Sequence, residues 1–470
     1  MKGYFSLLLC AVLMMSACGE SKKAEWVATT ASEAWASQPV LVLETAAVEA
    51  DADVFPEKQL QTISGFGACF NELGWSSLSF LSETDRNQVM EELFSPGKGA
   101  NFTVCRMPVG ANDFSLNWYS YNETAGDLAM EHFSIANDEK TLIPFILQAK
   151  KYNPDVVLWA SPWSPPSWLK DNNHYACRAD ANVNDLKGPP VEREGSNMFI
   201  QKDEYMQAYA LYFGKFIDEY AKKDIQITMV APQNEFNSCQ NFPSCTWTAG
   251  ALAKFVGQYL GPEMEKRGVQ LMFGTMERPD GKLVDTVLTD VNAKKYVTSV
   301  GFQWAGKDAI KDIHQRYPDM KLYQTEQECG NGRNDWKGAA YSWQLMEHYL
   351  SNGASVYDYW NISLAKGGVS RWGWAQNSLV VVDTTSNTYV FTPEYYVLKH
   401  YSHYIQPGAY RLETSGYEHL LAFRNPDGSI VITAGNFENE DQPLKIRLNK
   451  QMIQPTLKAN SVNTFVIGVR

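Results

Sequence analysis

The feature that most constrains the fold is an alternation of short apolar runs with helix-like stretches, repeated eight times between about residues 62 and 395. Candidate strands fall near 62–68, 102–109, 155–161, 225–231, 269–274, 297–304, 320–326 and 355–361. Between most of them lie amphipathic segments. Residues 81–94 offer Ser82 as an N-cap with Asp85 three residues later. Residues 203–223 repeat apolar side chains at helical spacing, and the stretches 251–268 and 339–353 each end at glycine. Eight parallel strands alternating with helices predict an α/β fold, a (β/α)8 TIM barrel over residues 61–395.

The two ends of the chain follow another rule. Residues 24–60 read as strands without helical period, and beyond about 395 apolar and polar residues alternate around an Asn-Pro-Asp-Gly turn at 425–428. The orphan strands at 24–60 are expected to pair with 396–470 in a β-sandwich at the side of the barrel. One long polar insertion, 165–202, follows the third strand, and loops of that length at strand ends usually shape a site.

At the N-terminus, Lys2 precedes an apolar run from Tyr4 to Met15, followed by Ser16-Ala17-Cys18-Gly19. The run is too short to span a bilayer and has the layout of a signal peptide. Met-Ser-Ala-Cys resembles a bacterial lipobox, which implies a lipoprotein signal peptide over 1–18, lipidation of Cys18 and residence in the cell envelope. Plain secretion is the alternative, since Met15 is a less usual residue at the first lipobox position. A net charge of −12 argues against nucleic acid, because phosphate binding needs a basic surface. Membrane contact is expected only through the lipid. Six cysteines lie outside the signal region, with no CxxC pair; Cys239 and Cys245 could close a small loop in an oxidising compartment or remain buried thiols. The seven histidines form no ligand motif, so neither a metal nor a cofactor is expected.

The chemistry concentrates at two strand ends. Ile225, Ile227, Met229 and Val230 form a buried strand that breaks at Ala231-Pro232, and Asn234-Glu235 follow at once. Leu322 and Tyr323 begin another strand that ends at Glu326. By the strand count these are the fourth and seventh, so both carboxyls can point into one barrel mouth. Either glutamate alone could be a salt-bridge partner. Together they are what glycoside hydrolysis needs: one protonated to serve the leaving oxygen, one ionised to attack the anomeric carbon. The aromatic content, with 14 Trp, 24 Tyr and 22 Phe, fits a large core or the stacking of sugar rings.

From about Gln61 onward the chain resembles glycoside hydrolase family 30. The resemblance rests on GFGACF at 65–70, CRMPVGANDFS at 105–115, LWASPWSPPSWLK at 158–170, APQNE at 231–235, DYWNISL at 358–364 and EYYVLKHYSHYIQPGA at 394–409. It implies a barrel with a side-associated sandwich, Glu235 as acid/base and Glu326 as nucleophile. It further implies that Asn234 holds the sugar 2-hydroxyl, that Asp113 and Trp163 bind the sugar beside the scissile bond, that Trp360 floors the pocket and that Asn377 is a further polar contact. Arg106, at the end of strand two, is expected to pair with a carboxylate and keep the nucleophile ionised. Core packing is the competing reading for Trp163 and Trp360, a structural role for Arg106, and a turn cap for Asp113. Glu328 is the competing nucleophile; Glu326 is preferred because Tyr-Gln-Thr-Glu continues the strand. At strand six the chain departs from the family. Gln303-Trp304-Ala305 stands where many relatives carry a more aromatic, His-containing segment, so Trp304 joins the substrate-binding set while sugar preference stays open.

The expected function is retaining hydrolysis of β-glucosidic linkages, most naturally in a β-1,6-glucan given an envelope location. The alternatives are a glucosylceramidase-like β-glucosidase and a non-catalytic glycan-binding lipoprotein.

Overall fold

In the computed structural model of the chain, residues 22–46 and 48–468 are described. The signal peptide and the lipid anchor expected at 1–18 lie outside the described residues.

Eight strands close into a parallel barrel: β1 (Gly65–Cys69), β2 (Val104–Pro108), β3 (Val157–Ser161), β4 (Ile227–Val230), β5 (Gln270–Met276), β6 (Val297–Gln303), β7 (Lys321–Glu326) and β8 (Ala354–Asn361). Each falls where the alternation predicts it, and β8 pairs with β1 to complete the ring. The barrel interior is filled by side chains that include Trp159, Met229, Met272 and Tyr323, so it is a packed core rather than a channel. Glycine at position 67 follows from this closure: a Cβ there would lie 1.6 Å from the carbonyl oxygen of Val104 on β2. Helices cover the outside and bury their apolar stripes against the strands. The helix Glu83–Phe94 starts as its sequence predicts, with the Ser82 hydroxyl accepting from the Asp85 amide.

The insertion after β3 is mostly loop, yet it is anchored. Lys170 is buried within it, and its ammonium donates to the carbonyls of Tyr175 (2.6 Å) and Ser244 (2.7 Å). The amides of Cys177 and Arg178 donate to the Gln240 carbonyl. These bonds lay the insertion over the segment that follows β4, at the carboxyl ends of the strands. The six described cysteines, Cys239 and Cys245 among them, are free thiols.

Both chain ends build the second domain, a ten-stranded sheet wrapped as a sandwich around its own core. The N-terminal strand Lys23–Thr30 pairs antiparallel with the C-terminal strand Ser461–Ile467, and Ala52–Thr62 pairs with Tyr410–Ser415. The turn at 425–428 closes the hairpin between Leu420–Arg424 and Ile430–Asn436, with Gly428 donating back to the Asn425 carbonyl. Helix Pro393–Ser402 joins the domains: His400, buried on it, bonds Thr464 at 2.8 Å and Thr29 at 2.9 Å, one hydroxyl from each end of the chain.

Candidate active site

β4 delivers Asn234 and Glu235 to the barrel mouth through a turn that begins at Ala231. The Asn234 amide donates to the Pro162 carbonyl (2.7 Å) and the Glu235 amide to the Thr275 hydroxyl (2.9 Å). Those anchors hold Glu235 at φ 45°, in the left-handed region that a β-carbon disfavours. Trp304, just past β6, also lies in that region, at φ 48°. Glu326 is the last residue of β7.

Arg106, on β2, is fully buried and organises the floor of the mouth. Its guanidinium donates to Glu326 Oε2 (2.9 Å), to Asn234 Oδ1 (2.6 Å), to Ser161 Oγ (2.9 Å) and to the Thr325 carbonyl (3.0 Å). Its central carbon lies 4.5 Å from the Trp163 ring, 4.8 Å from Trp159 and 5.4 Å from Trp360. A buried cation with a carboxylate partner and aromatic faces is a tolerated charge.

The two glutamates differ in how they are held. Glu326 accepts from Arg106 and Gln303 on Oε2 and from the Trp304 indole on Oε1 (2.9 Å). Glu235 accepts from Gln303 on Oε1 (3.0 Å). Burial pushes both carboxyls above the usual range, and the negative charge of Glu235 raises Glu326 further. The positive charge of Arg106 and the indole bond oppose this at Glu326, and Gln303, the charge of Arg278 and the Ser238 hydroxyl oppose it at Glu235. Burial and the charges of Glu326 and Glu235 also push Asp113 up.

A cavity of about 530 Å³ opens over these groups. Asp113, Trp163, Asn234, Glu235, Trp304 and Glu326, all candidates from the sequence, line it. Three other expected residues stand behind the wall. Arg106 acts through Glu326 and Asn234. Trp360 is fully buried and stacks on Trp163 with ring centroids 5.2 Å apart. The Asn377 side-chain oxygen accepts from the amides of Gly332 and Asn334 and thereby fixes the turn after β7. Glu328 points elsewhere, with one oxygen on Lys307 (2.8 Å) and the other on the Tyr341 hydroxyl (2.8 Å). That separation favours Glu326 as the carboxylate facing the cavity.

Several lining residues escaped the sequence reading. Glu277 and Arg278 directly follow β5, and that position at a barrel strand end was the available signal. Glu277 is buried, and its carboxyl is pushed up to about 8, mainly by burial and then by the charge of Glu235. Arg278 pairs with Glu194, which brings the insertion to the cavity rim. Gln240, Phe242, Trp374 and Gln376 complete the wall, the rings of Phe242 and Trp374 lying 4.9 Å apart.

Comparison with known proteins agrees with this fold. The family model of the glycosyl hydrolase family 30 TIM-barrel domain matches residues 63–405, and that of the family 30 beta sandwich domain matches residues 408–465. Putative glucosylceramidase 1 of Caenorhabditis elegans is 31% identical over 406 residues, which covers 81% of this chain and 74% of the relative. Endo-1,6-beta-D-glucanase BGN16.3 of Trichoderma harzianum is 24% identical over 433 residues, covering 87% of this chain and 84% of the relative. Among solved structures, SrfJ from Salmonella typhimurium superposes with a TM-score of 0.86 at 23% identity, over 95% of this chain and all of that one.

Proposed function

The chain belongs to glycosyl hydrolase family 30, and from that premise we propose that it hydrolyses β-glucosidic linkages with retention of configuration, with a β-1,6-glucan as substrate. The observation that carries the mechanism is the amide nitrogen of Gln303, 3.0 Å from Glu235 Oε1 and 3.3 Å from Glu326 Oε2. Those oxygens can therefore be no more than about 6.3 Å apart, which supports the close carboxyl pair of a retaining enzyme over the ~6.5–9.5 Å pair that seats a water in an inverting one.

Glu326 is the nucleophile and Glu235 the acid/base. Glu326 Oε1, held only by the Trp304 indole, attacks the anomeric carbon while the glycosidic bond breaks and the leaving oxygen takes the proton of Glu235. The product is a neutral glycosyl ester on Glu326. Loss of that negative charge lowers the pKa of Glu235, which then takes a proton from water as the water attacks the same carbon and frees Glu326. The Asn234 side-chain oxygen already accepts from Arg106 and the Thr275 hydroxyl, so its amide nitrogen is the group left to face a sugar 2-hydroxyl. Asp113 lines the cavity with a carboxyl oxygen that has no partner in the described residues, suited to hydroxyls of the same sugar. Trp163 offers its ring face beside them.

A polar rim supports a glycan leaving group. Gln240, Gln376, Glu277 and Arg278 can bond sugar hydroxyls, and the Phe242–Trp374 pair offers a face for a pyranose ring. The higher identity to a putative glucosylceramidase favours a second reading, a β-glucosidase with a lipid aglycone. Incubation with β-1,6-, β-1,3- and β-1,4-glucans, xylan and glucosylceramide separates the two. The expected result is preferential release of sugars from β-1,6-glucan, with the β-anomer appearing first by proton NMR. Preferential turnover of glucosylceramide establishes the second reading, and first release of the α-anomer refutes retention. We also propose the envelope location: a Cys18→Ala variant should lose labelled fatty acid that the wild type incorporates, and unlabelled wild-type protein would refute the anchor.

A further inference from the structure

Gln303 is fully buried at the end of β6, and its amide orientation is fixed. Its oxygen faces Arg106 Nη1 (3.3 Å) and the Thr325 hydroxyl (2.9 Å). Arginine only donates, so turning the amide over would set two donors against each other. The amide nitrogen must then face the other way, and there it meets three acceptors: Glu235 Oε1 (3.0 Å), Asn234 Oδ1 (3.2 Å) and Glu326 Oε2 (3.3 Å). It has two hydrogens. Asn234 Oδ1 is already occupied by Arg106 at 2.6 Å and by the Thr275 hydroxyl at 3.1 Å. The two hydrogens therefore belong to the two glutamates.

We propose that Gln303 is a positioning residue shared by the two reacting carboxyls, and that its donation moves from Glu326 to Glu235 when the charge of Glu326 is consumed in the glycosyl-enzyme. This rests on the assignment of Glu235 and Glu326 as acid/base and nucleophile. An N–H bond to a carboxylate is much stronger than one to a neutral carboxyl or ester. In the free enzyme Glu326 carries the charge, so Gln303 and Arg106 together stabilise the nucleophile. After the first step Glu326 is a neutral ester and Glu235, having given up its proton, is the carboxylate. Gln303 then donates to that carboxylate and, together with the charges of Arg278 and Arg106 and the Ser238 hydroxyl, keeps Glu235 ionised where burial favours the protonated form. An ionised Glu235 is the state that accepts a proton from the attacking water. A neutral amide suits this role: a cation between the carboxyls would ionise both and leave no acid for the first step.

The test uses Gln303→Met, close in size but without a donor, and Gln303→Asn, which withdraws the amide by one methylene. Each is assayed with an aryl β-glucoside of good leaving group. The measurements are the pH profiles of kcat and kcat/KM, the fraction of glycosyl-enzyme at steady state by intact mass, and the melting temperature. Loss of a donor to both carboxylates should move both limbs of kcat/KM to higher pH by about one unit, and slow deglycosylation about tenfold, so that glycosyl-enzyme accumulates. A variant that melts like the wild type and keeps both the limbs and the glycosyl-enzyme fraction overturns the inference. So does a uniform fall in kcat/KM without movement of the limbs, which is what a purely structural role would give. If Gln303→Met does not fold, Gln303→Asn decides by the same criteria. Glu326→Gln and Glu235→Gln are measured alongside: wild-type turnover in either overturns the underlying assignment, whereas loss in both with unmoved limbs in the Gln303 variants overturns this inference alone.

Discussion

Arg106 is the residue on which the charge state of the mouth depends. Its side chain is enclosed by three indole rings and bonded to Glu326 and Asn234, so one buried cation fixes both side chains. It lowers the pKa of Glu326 against the effect of burial. Removing it therefore raises that pKa, and an ionised Glu326, the proposed nucleophile, is then reached only at higher pH. In Arg106→Gln the acid limb of kcat/KM should move up, with activity at pH 7 down by about a hundredfold or more, read from the pH–rate profile; breaking a buried pair should also cost ~3–5 kcal/mol of stability. An unmoved acid limb would show that Arg106 does not control the nucleophile. The sequence made this pairing legible because an arginine at a barrel strand end requires a carboxylate partner. It made Gln303 visible only as a departure from a family pattern. A side-chain amide has no charge to pair and no periodicity to follow, and its partners lie 23 and 68 residues away in sequence.

At the scale of elements, the strand ends explain most of what was readable and most of what was not. All eight strands were legible because each is a short apolar run stopped by a breaker, and the count alone put Glu235 after β4 and Glu326 on β7. Glu277 and Arg278 occupy the equivalent position after β5, but no motif marks them, and their place on the cavity wall follows only from the closed barrel. Asn377 shows the opposite failure. A motif places it near the sugar, whereas the fold uses its oxygen to hold the backbone at Gly332 and Asn334. The contact that keeps β1 against β2 is equally specific. Gly67→Ala would push a methyl into the Val104 carbonyl, a backbone atom that cannot rotate away. The expected loss is about 1–3 kcal/mol, read as a lower denaturant midpoint. An unchanged midpoint would mean that the strands separate freely at that point.

Across the whole molecule, the first and last strands of the described chain close one sheet, and helix Pro393–Ser402 fastens that sheet to the barrel through His400. Burial pushes the His400 imidazole down to about 3, with Lys399 and His403 adding to the shift. The unfolded chain takes up this proton near pH 6.5 while the folded protein refuses it, so this group destabilises the fold as pH drops from 6.5 towards 3, by ~1.4 kcal/mol per unit. His400→Gln, which keeps donor and acceptor atoms, should flatten the fall of melting temperature with acidity; a parallel fall in both proteins would contradict the assignment. No described residue of the sandwich lines the cavity at the barrel mouth, where Glu326 is proposed as the nucleophile of a retaining pair with Glu235. The most direct measurement is inactivation by a 2-deoxy-2-fluoro-β-glucoside with an activated leaving group, followed by peptide mapping of the trapped sugar. A single fluoroglucosyl ester on Glu326 is the predicted result; a label on Glu328, or no covalent adduct on a protein that still turns over its substrate, would contradict it.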